Sequence, residues 1–184
     1  MHKFILASTS PRRQELLKKI GLDFTLASSD YEEVFDHRPP HTQALFLARK
    51  KVESVLEHSP EYTRDLVLGA DTCIDLDGRI LGKPNTRSEA RKFLHQMSGR
   101  THRVITALSI WNGPTGRFLT EAETTLIHVA HLDAREIEWY LDTKEWEGAA
   151  GGYRIQGRGS LFVDRIEGCY FNVMGLQIRR FYGD

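Results

Sequence analysis

The stretch Phe4-Ile5-Leu6-Ala7-Ser8-Thr9-Ser10-Pro11-Arg12-Arg13-Gln14-Glu15-Leu16-Leu17-Lys18-Lys19-Ile20-Gly21 decides how the chain reads. Phe4 to Ala7 is a short apolar run, a strand entering a core. Gln14 to Ile20 has amphipathic helical spacing, with Leu16, Leu17 and Ile20 on one face. Ser10 suits the helix N-cap, Pro11 the first helical position, and Gly21 the residue just past the end. The motif is therefore a strand-turn-helix junction. Arg12 and Arg13 fall in the first helical turn, where cations cost about 0.3–1 kcal/mol each against the helix dipole. Two readings are open. The pair is either a solvated basic turn or half of an anion cradle, in which backbone N–H groups, the hydroxyls of Ser8 and Ser10 and two guanidinium forks hold a phosphate.

Outward from this junction, strands and helices interleave. Phe24 to Ala27 reads as a second strand, followed by the acidic loop Ser29-Asp30-Tyr31-Glu32-Glu33 and by Pro39-Pro40, which no helix should cross. Leu45, Ala48, Val52 and Val55 predict a helix over Thr42 to Glu57, with Lys50 and Lys51 on or beside its other face. Ser59 to Arg64 reads as a loop. Leu66 to Thr72 is an apolar run fit for a central strand that delivers Asp71 at its carboxyl edge. Cys73 to Leu76 and Arg79 to Leu81 flank Asp77-Gly78, a hairpin signal. Thr86-Arg87-Ser88-Glu89 is a capping box before a helix ending at Ser98-Gly99. Two long strands then occupy Thr101 to His131, around the turn Asn112 to Gly116. A further helix starts at Asp133, and Glu147 to Gly152 forms a small-residue loop. Leu161 to Val163 and Cys169 to Phe171 are expected to pair as a hairpin around Glu167-Gly168, before a last helix over Val173 to Phe181. The class is α/β with a mixed sheet.

The 184 residues, 40% hydrophobic and with a formal net charge of +0, fit one domain over residues 1–184, with room for two lobes. The zero balance argues against bulk binding to nucleic acid or to an anionic membrane. Two cysteines, Cys73 and Cys169, are too few for a disulfide framework. No apolar stretch approaches the roughly 18 residues of a membrane span, and charges interrupt the N-terminus too early for a signal peptide. A soluble intracellular protein is expected.

Four charged elements sit at strand ends or in loops: Ser8/Ser10/Arg12/Arg13, Glu32-Glu33, Asp71-Thr72 and Lys83. Ligands of open α/β sheets collect beyond the carboxyl ends of the strands. Converging there, these groups would offer cations for phosphates and carboxylates for a hard divalent metal, with Asp71 or Glu33 placing or deprotonating a water. Each also has a plainer reading: a turn-starting Asp71, a solvated glutamate pair, surface lysines at Lys51 and Lys83. HExxH, CxxC, GxSxG and P-loop patterns are absent from the sequence.

Six segments, in order, resemble the Maf family of nucleotide pyrophosphatases: Leu6–Leu17, Leu47–Lys51, Gly69–Thr72, Leu81–Pro84, Met97–His102 and Gly152–Gly157. The resemblance implies an elongated α/β fold of the Maf/ITPase kind with a central cleft. It also implies a cytoplasmic, typically homodimeric hydrolase that uses Mg²⁺ or Mn²⁺ to split a nucleoside triphosphate into the monophosphate and pyrophosphate. On this resemblance Ser8, Ser10, Arg12, Arg13, Lys51 and Lys83 hold the triphosphate, and Lys83 counts with Asp71 and Glu33 among the catalytic residues. Glu33 and Asp71 serve the metal and the water, with Asp71 the proton acceptor. Arg13, Thr72 and Gln156 are similar to the branch acting on dTTP, UTP and modified pyrimidine nucleotides. The Gln156 amide offers a donor and an acceptor to an imide edge. The chain departs from the family at Ala149, where a lysine is frequent, and at Gln177, where a proline is usual. Two alternatives remain: a nucleotide-binding interaction protein linked to cell division with vestigial hydrolysis, and the branch acting on 7-methylguanosine triphosphate.

Overall fold

Among the described residues, most of the apolar runs become strands of one mixed sheet of seven, and the amphipathic stretches become helices. The computed structural model describes residues 2–34 and 36–181; residues 1, 35 and 182–184 of the expected domain lie outside the described residues. In chain order come β1 (Phe4–Ala7), α1 (Pro11–Lys19), β2 (Thr25–Leu26), α2 (Pro40–His58), β3 (Leu66–Leu76), β4 (Arg79–Leu81) and α3 (Arg87–Met97). They are followed by β5 (Thr101–Asn112), β6 (Arg117–Val129), α4 (Ala134–Asp142), β7 (Val163–Glu167), α5 (Tyr170–Val173) and α6 (Ile178–Phe181). The sheet order is β2-β1-β3-β5-β6-β7, with β4 paired to β3. β1 is parallel to β2 and β3, while β4 and β7 are antiparallel to their partners. No helix of the described residues is long and apolar enough to cross a membrane.

The chain forms two compact units, one of residues 1–71, 106–123 and 175–184, the other of residues 72–105 and 124–174. In the first, α2 lies on the face of β1 and β3 that carries Ile5, Ala7 and Val67, and buries Val52 and Val55 against them. Side chains alternate along a strand, so Gly69 and Asp71 share that face with Val67. Gly69 is glycine because the helix comes too close for anything larger. A Cβ there would sit 2.6 Å from Val52 Cγ2 and 2.7 Å from the Ala48 carbonyl oxygen. In the second unit, α3 and α4 supply Leu94, Met97, Ile137, Tyr140 and Leu141 to a core shared with Ile74, Val104 and Ile127.

Several expectations change. Ser59 to Arg64 is a 3-10 turn over Pro60–Arg64, closed by Tyr62 N–H to the Ser59 carbonyl, rather than an open loop. The Thr86 hydroxyl caps Glu89 N–H, but the Glu89 carboxylate reaches back to Asn85 N–H instead of completing the box at Thr86. The C-terminal hairpin does not form. Val163 to Glu167 pairs with β6, placing Ile166 opposite Ile127, and beyond Gly168 the chain turns into α5. The last helix is split. Gly175 sits at φ +95°, which helical residues do not adopt, and α6 begins only at Ile178. Between the two short helices, the buried Gln177 amide donates to the Thr106 carbonyl at 2.6 Å.

Candidate active site

The junction of β1 and α1 turns its polar groups inward. The Ser8 hydroxyl accepts from Ser10 N–H at 3.3 Å and from the Arg13 guanidinium at 3.1 Å, and Arg13 Nε donates to the Gly175 carbonyl at 2.8 Å. Ser10 holds the N-cap position of α1, but its side chain makes no capping bond. Arg13 is 8% exposed and Arg12 half-buried. Burial lowers the Arg13 pKa to about 10, Asp71 acts against that shift, Arg12 adds to it, and Glu33 again opposes it. Arg13 thus stays cationic at neutral pH.

Lys51 is the hub of the same unit. Its Nζ lies 2.6 Å from Asp71 Oδ1 and 2.7 Å from Glu33 Oε1. Its side chain is only 14% exposed, so it does not lie on the solvent side of α2, as the helical stripe alone predicts. The close approach at Gly69 explains the inversion. It brings the turn of α2 that contains Lys51 onto β3, two residues short of Asp71 on the same face. Asp71 is 5% exposed and sits within β3, not at its end. The parallel pairing of β3 with β1 nevertheless stops at Gly69 opposite Ala7, so Asp71 lies just past the carboxyl edge of the parallel strands, where ligands collect.

Ser8, Ser10, Arg13, Glu33, Lys51 and Asp71 are therefore joined by direct bonds or by charge, and Arg12 stands beside Arg13. Thr72, Lys83 and Gln156 belong to the second unit. Thr72 follows Asp71 on β3 and points to the opposite face of that strand. Lys83 is exposed in the segment after β4, and Gln156 is exposed on the turn after Ile155.

Sequence reasoning missed three supports. Gly69 is one, although a glycine inside an apolar strand signals a close backbone approach. Gln43 is the second: fully buried on α2, it donates its amide to the Val34 carbonyl at 2.7 Å and so ties down the loop holding Glu33. A glutamine in a helical stripe gives no sign of that. The Gly175 carbonyl that receives Arg13 is the third.

The donor set fits a hard divalent cation only in part. Two carboxylates, Glu33 and Asp71, converge on one ammonium, and oxygen donors of this kind suit Mg²⁺ when substrate phosphate and water supply the rest. Among the described residues no group of three or more histidine, cysteine or acidic side chains is placed to hold a metal alone.

A family model described as "Maf-like protein" matches residues 3–183. A protein of Caldicellulosiruptor bescii named "dTTP/UTP pyrophosphatase" is 42% identical over 98% of this chain and 92% of its own length. Proteins with the same name from Pyrococcus abyssi and Moorella thermoacetica are each 44% identical, covering 95% and 97% of this chain and 90% and 91% of theirs. The solved Staphylococcus aureus Ham1 protein superposes with a TM-score of 0.45 at 15% identity, over 70% of this chain and 72% of that one, a likeness too slight to bear on function.

Proposed function

The chain belongs to the Maf-like protein family, and from that premise we propose that it hydrolyses dTTP and UTP to the nucleoside monophosphate and pyrophosphate. The observation that carries this reading is the bridge from Lys51 to both Asp71 and Glu33, beside the buried cation of Arg13. Such a site binds phosphate oxygens through its cations and keeps a carboxylate at hand for a proton.

In the proposed reaction, Ser8, Ser10, Arg12, Arg13 and Lys51 hold the triphosphate. Lys83 is a further phosphate contact. Triphosphate oxygens draw the Lys51 ammonium away from Asp71, whose carboxylate then accepts the proton of a water attacking the α-phosphorus. The bond from that phosphorus to the bridging oxygen breaks, and pyrophosphate leaves with the electron pair. Glu33 and Asp71 would hold Mg²⁺ or Mn²⁺, which when bound supplies charge neutralisation at the phosphates. Thr72 and Gln156 select the base. A site that hydrogen-bonds a polar edge rejects analogues lacking it, since its own groups are then left unpaired. The relatives' shared name supports the pyrimidine branch over the branch acting on 7-methylguanosine triphosphate. We further propose a cytoplasmic homodimer, on the family resemblance.

The test is product analysis. Incubation of dTTP with the protein and Mg²⁺ should yield dTMP and pyrophosphate, and chelation should stop it. Release of dTDP and inorganic phosphate would contradict the reading. Nucleotide binding without turnover would favour an interaction protein.

A further inference from the structure

Gln156 lies on an exposed turn, yet the backbone around it is held from several sides within the second unit. Arg154 N–H donates to the Tyr140 hydroxyl at 3.0 Å. The Arg154 guanidinium donates from Nε to the Glu145 carbonyl at 2.8 Å and from its terminal nitrogen to the Glu147 carbonyl at 2.6 Å. Gly157 N–H closes the turn onto the Arg154 carbonyl at 3.2 Å. On the far side, Arg158 N–H donates to the Glu145 carboxylate at 2.8 Å. That carboxylate lies directly over Gly157. A Cβ at Gly157 would stand 2.9 Å from Glu145 Cδ and 3.1 Å from Oε1. Gly157 has φ −114°, which any residue adopts, so the approach of Glu145, not the backbone angle, requires glycine.

We propose that Glu145 is a positioning residue for base selection: its carboxylate, bonded to Arg158 N–H and laid over Gly157, fixes the turn that presents Gln156. Glu145 is itself held, its N–H donating to the Thr143 hydroxyl at 3.2 Å and its carbonyl receiving Arg154. Its carboxylate thus grips the residues after Gln156 while its carbonyl grips a residue before it. A flexible side chain discriminates between bases only as well as its Cα is placed, because ordering a loose loop on binding consumes the difference between partners. The inference rests on the reading that Gln156 contacts the base.

The experiment compares kcat/KM for dTTP with kcat/KM for dCTP, nucleotides with the same sugar and triphosphate whose bases differ at the pairing edge and in the thymine 5-methyl group. Gln156→Leu should lower this ratio. Glu145→Ala should lower it about tenfold, the size of one lost charge-assisted hydrogen bond. The kcat for dCTP should be unchanged, a split that general destabilisation does not produce. Glu145→Gln, which keeps an acceptor for Arg158 N–H, should restore most of the ratio. Should Glu145→Ala not fold, Gly157→Ala disturbs the same clamp from the other side and should lower the ratio likewise. A lowered ratio in Gln156→Leu with wild-type ratios in Glu145→Ala and Gly157→Ala overturns the role of Glu145 alone. A wild-type ratio in Gln156→Leu overturns the base contact, and the role of Glu145 with it.

Discussion

Lys51 Nζ stands 2.6 Å from Asp71 Oδ1, a helix-to-strand contact between residues 20 apart in sequence, with Asp71 5% exposed. Removing one partner of so enclosed a pair leaves the other charged and undersolvated. Lys51→Met is expected to cost about 3 kcal/mol of stability. Asp71→Asn should be tolerated better in the Lys51→Met background than alone, with a coupling of about 1–2 kcal/mol in a double-mutant cycle by urea denaturation. Additive losses would show that the pair contributes no mutual stabilisation.

Gly69→Ala tests how that contact is built. The added methyl meets Val52 Cγ2 and the Ala48 carbonyl, so the helix must move off the strand, at about 1–3 kcal/mol. Val52→Ala should relieve only part of this, since the carbonyl remains. Gly82→Ala is the control: a Cβ there meets nothing within 4 Å, and its melting temperature should match wild type. Equal melting temperatures for Gly69→Ala and Gly82→Ala would refute the close approach.

His102 gives a pH dependence. It is 1% exposed on β5, with Nε2 2.8 Å from the Tyr153 hydroxyl and Nδ1 without a hydrogen-bond partner among the described residues. Burial lowers its pKa to about 4 from the usual 6.5. The unfolded chain therefore takes up this proton more readily than the folded one. Stability from this group is complete above about pH 6.5 and falls as pH drops towards 4, by about 3 kcal/mol. His102→Gln, which keeps a polar partner for Tyr153, should flatten the stability profile across that window. A profile parallel to wild type would rule the group out.

The strand-turn-helix junction, α2, the long strands β5 and β6 and the capped helix α4 were legible because their signals are local: period, cap and turn residues. The errors lie where partners are distant in sequence. Val163 to Glu167 pairs with β6, roughly forty residues earlier, so nothing in Leu161 to Phe171 betrays that it is not a self-contained hairpin. Gly175 could have been read as a break in the last helix, but Gln177 takes its place from a carbonyl on β5. The charged residues of the candidate site were legible as types, and the family motifs name them. Their assembly was not. Lys51 looks solvent-facing until Gly69 lets α2 descend onto β3, and Gln43 looks like any helical glutamine until it meets the Val34 carbonyl.

The most direct measurement is the initial rate of pyrophosphate release from dTTP, UTP, dCTP and 7-methylguanosine triphosphate, with Mg²⁺ and then Mn²⁺, for wild type and Asp71→Asn. Release from dTTP and UTP should exceed that from the other two and fall at least a hundredfold in Asp71→Asn, as for loss of a general base. Undiminished release by Asp71→Asn, or none from any of the four by wild type with either metal, would contradict it.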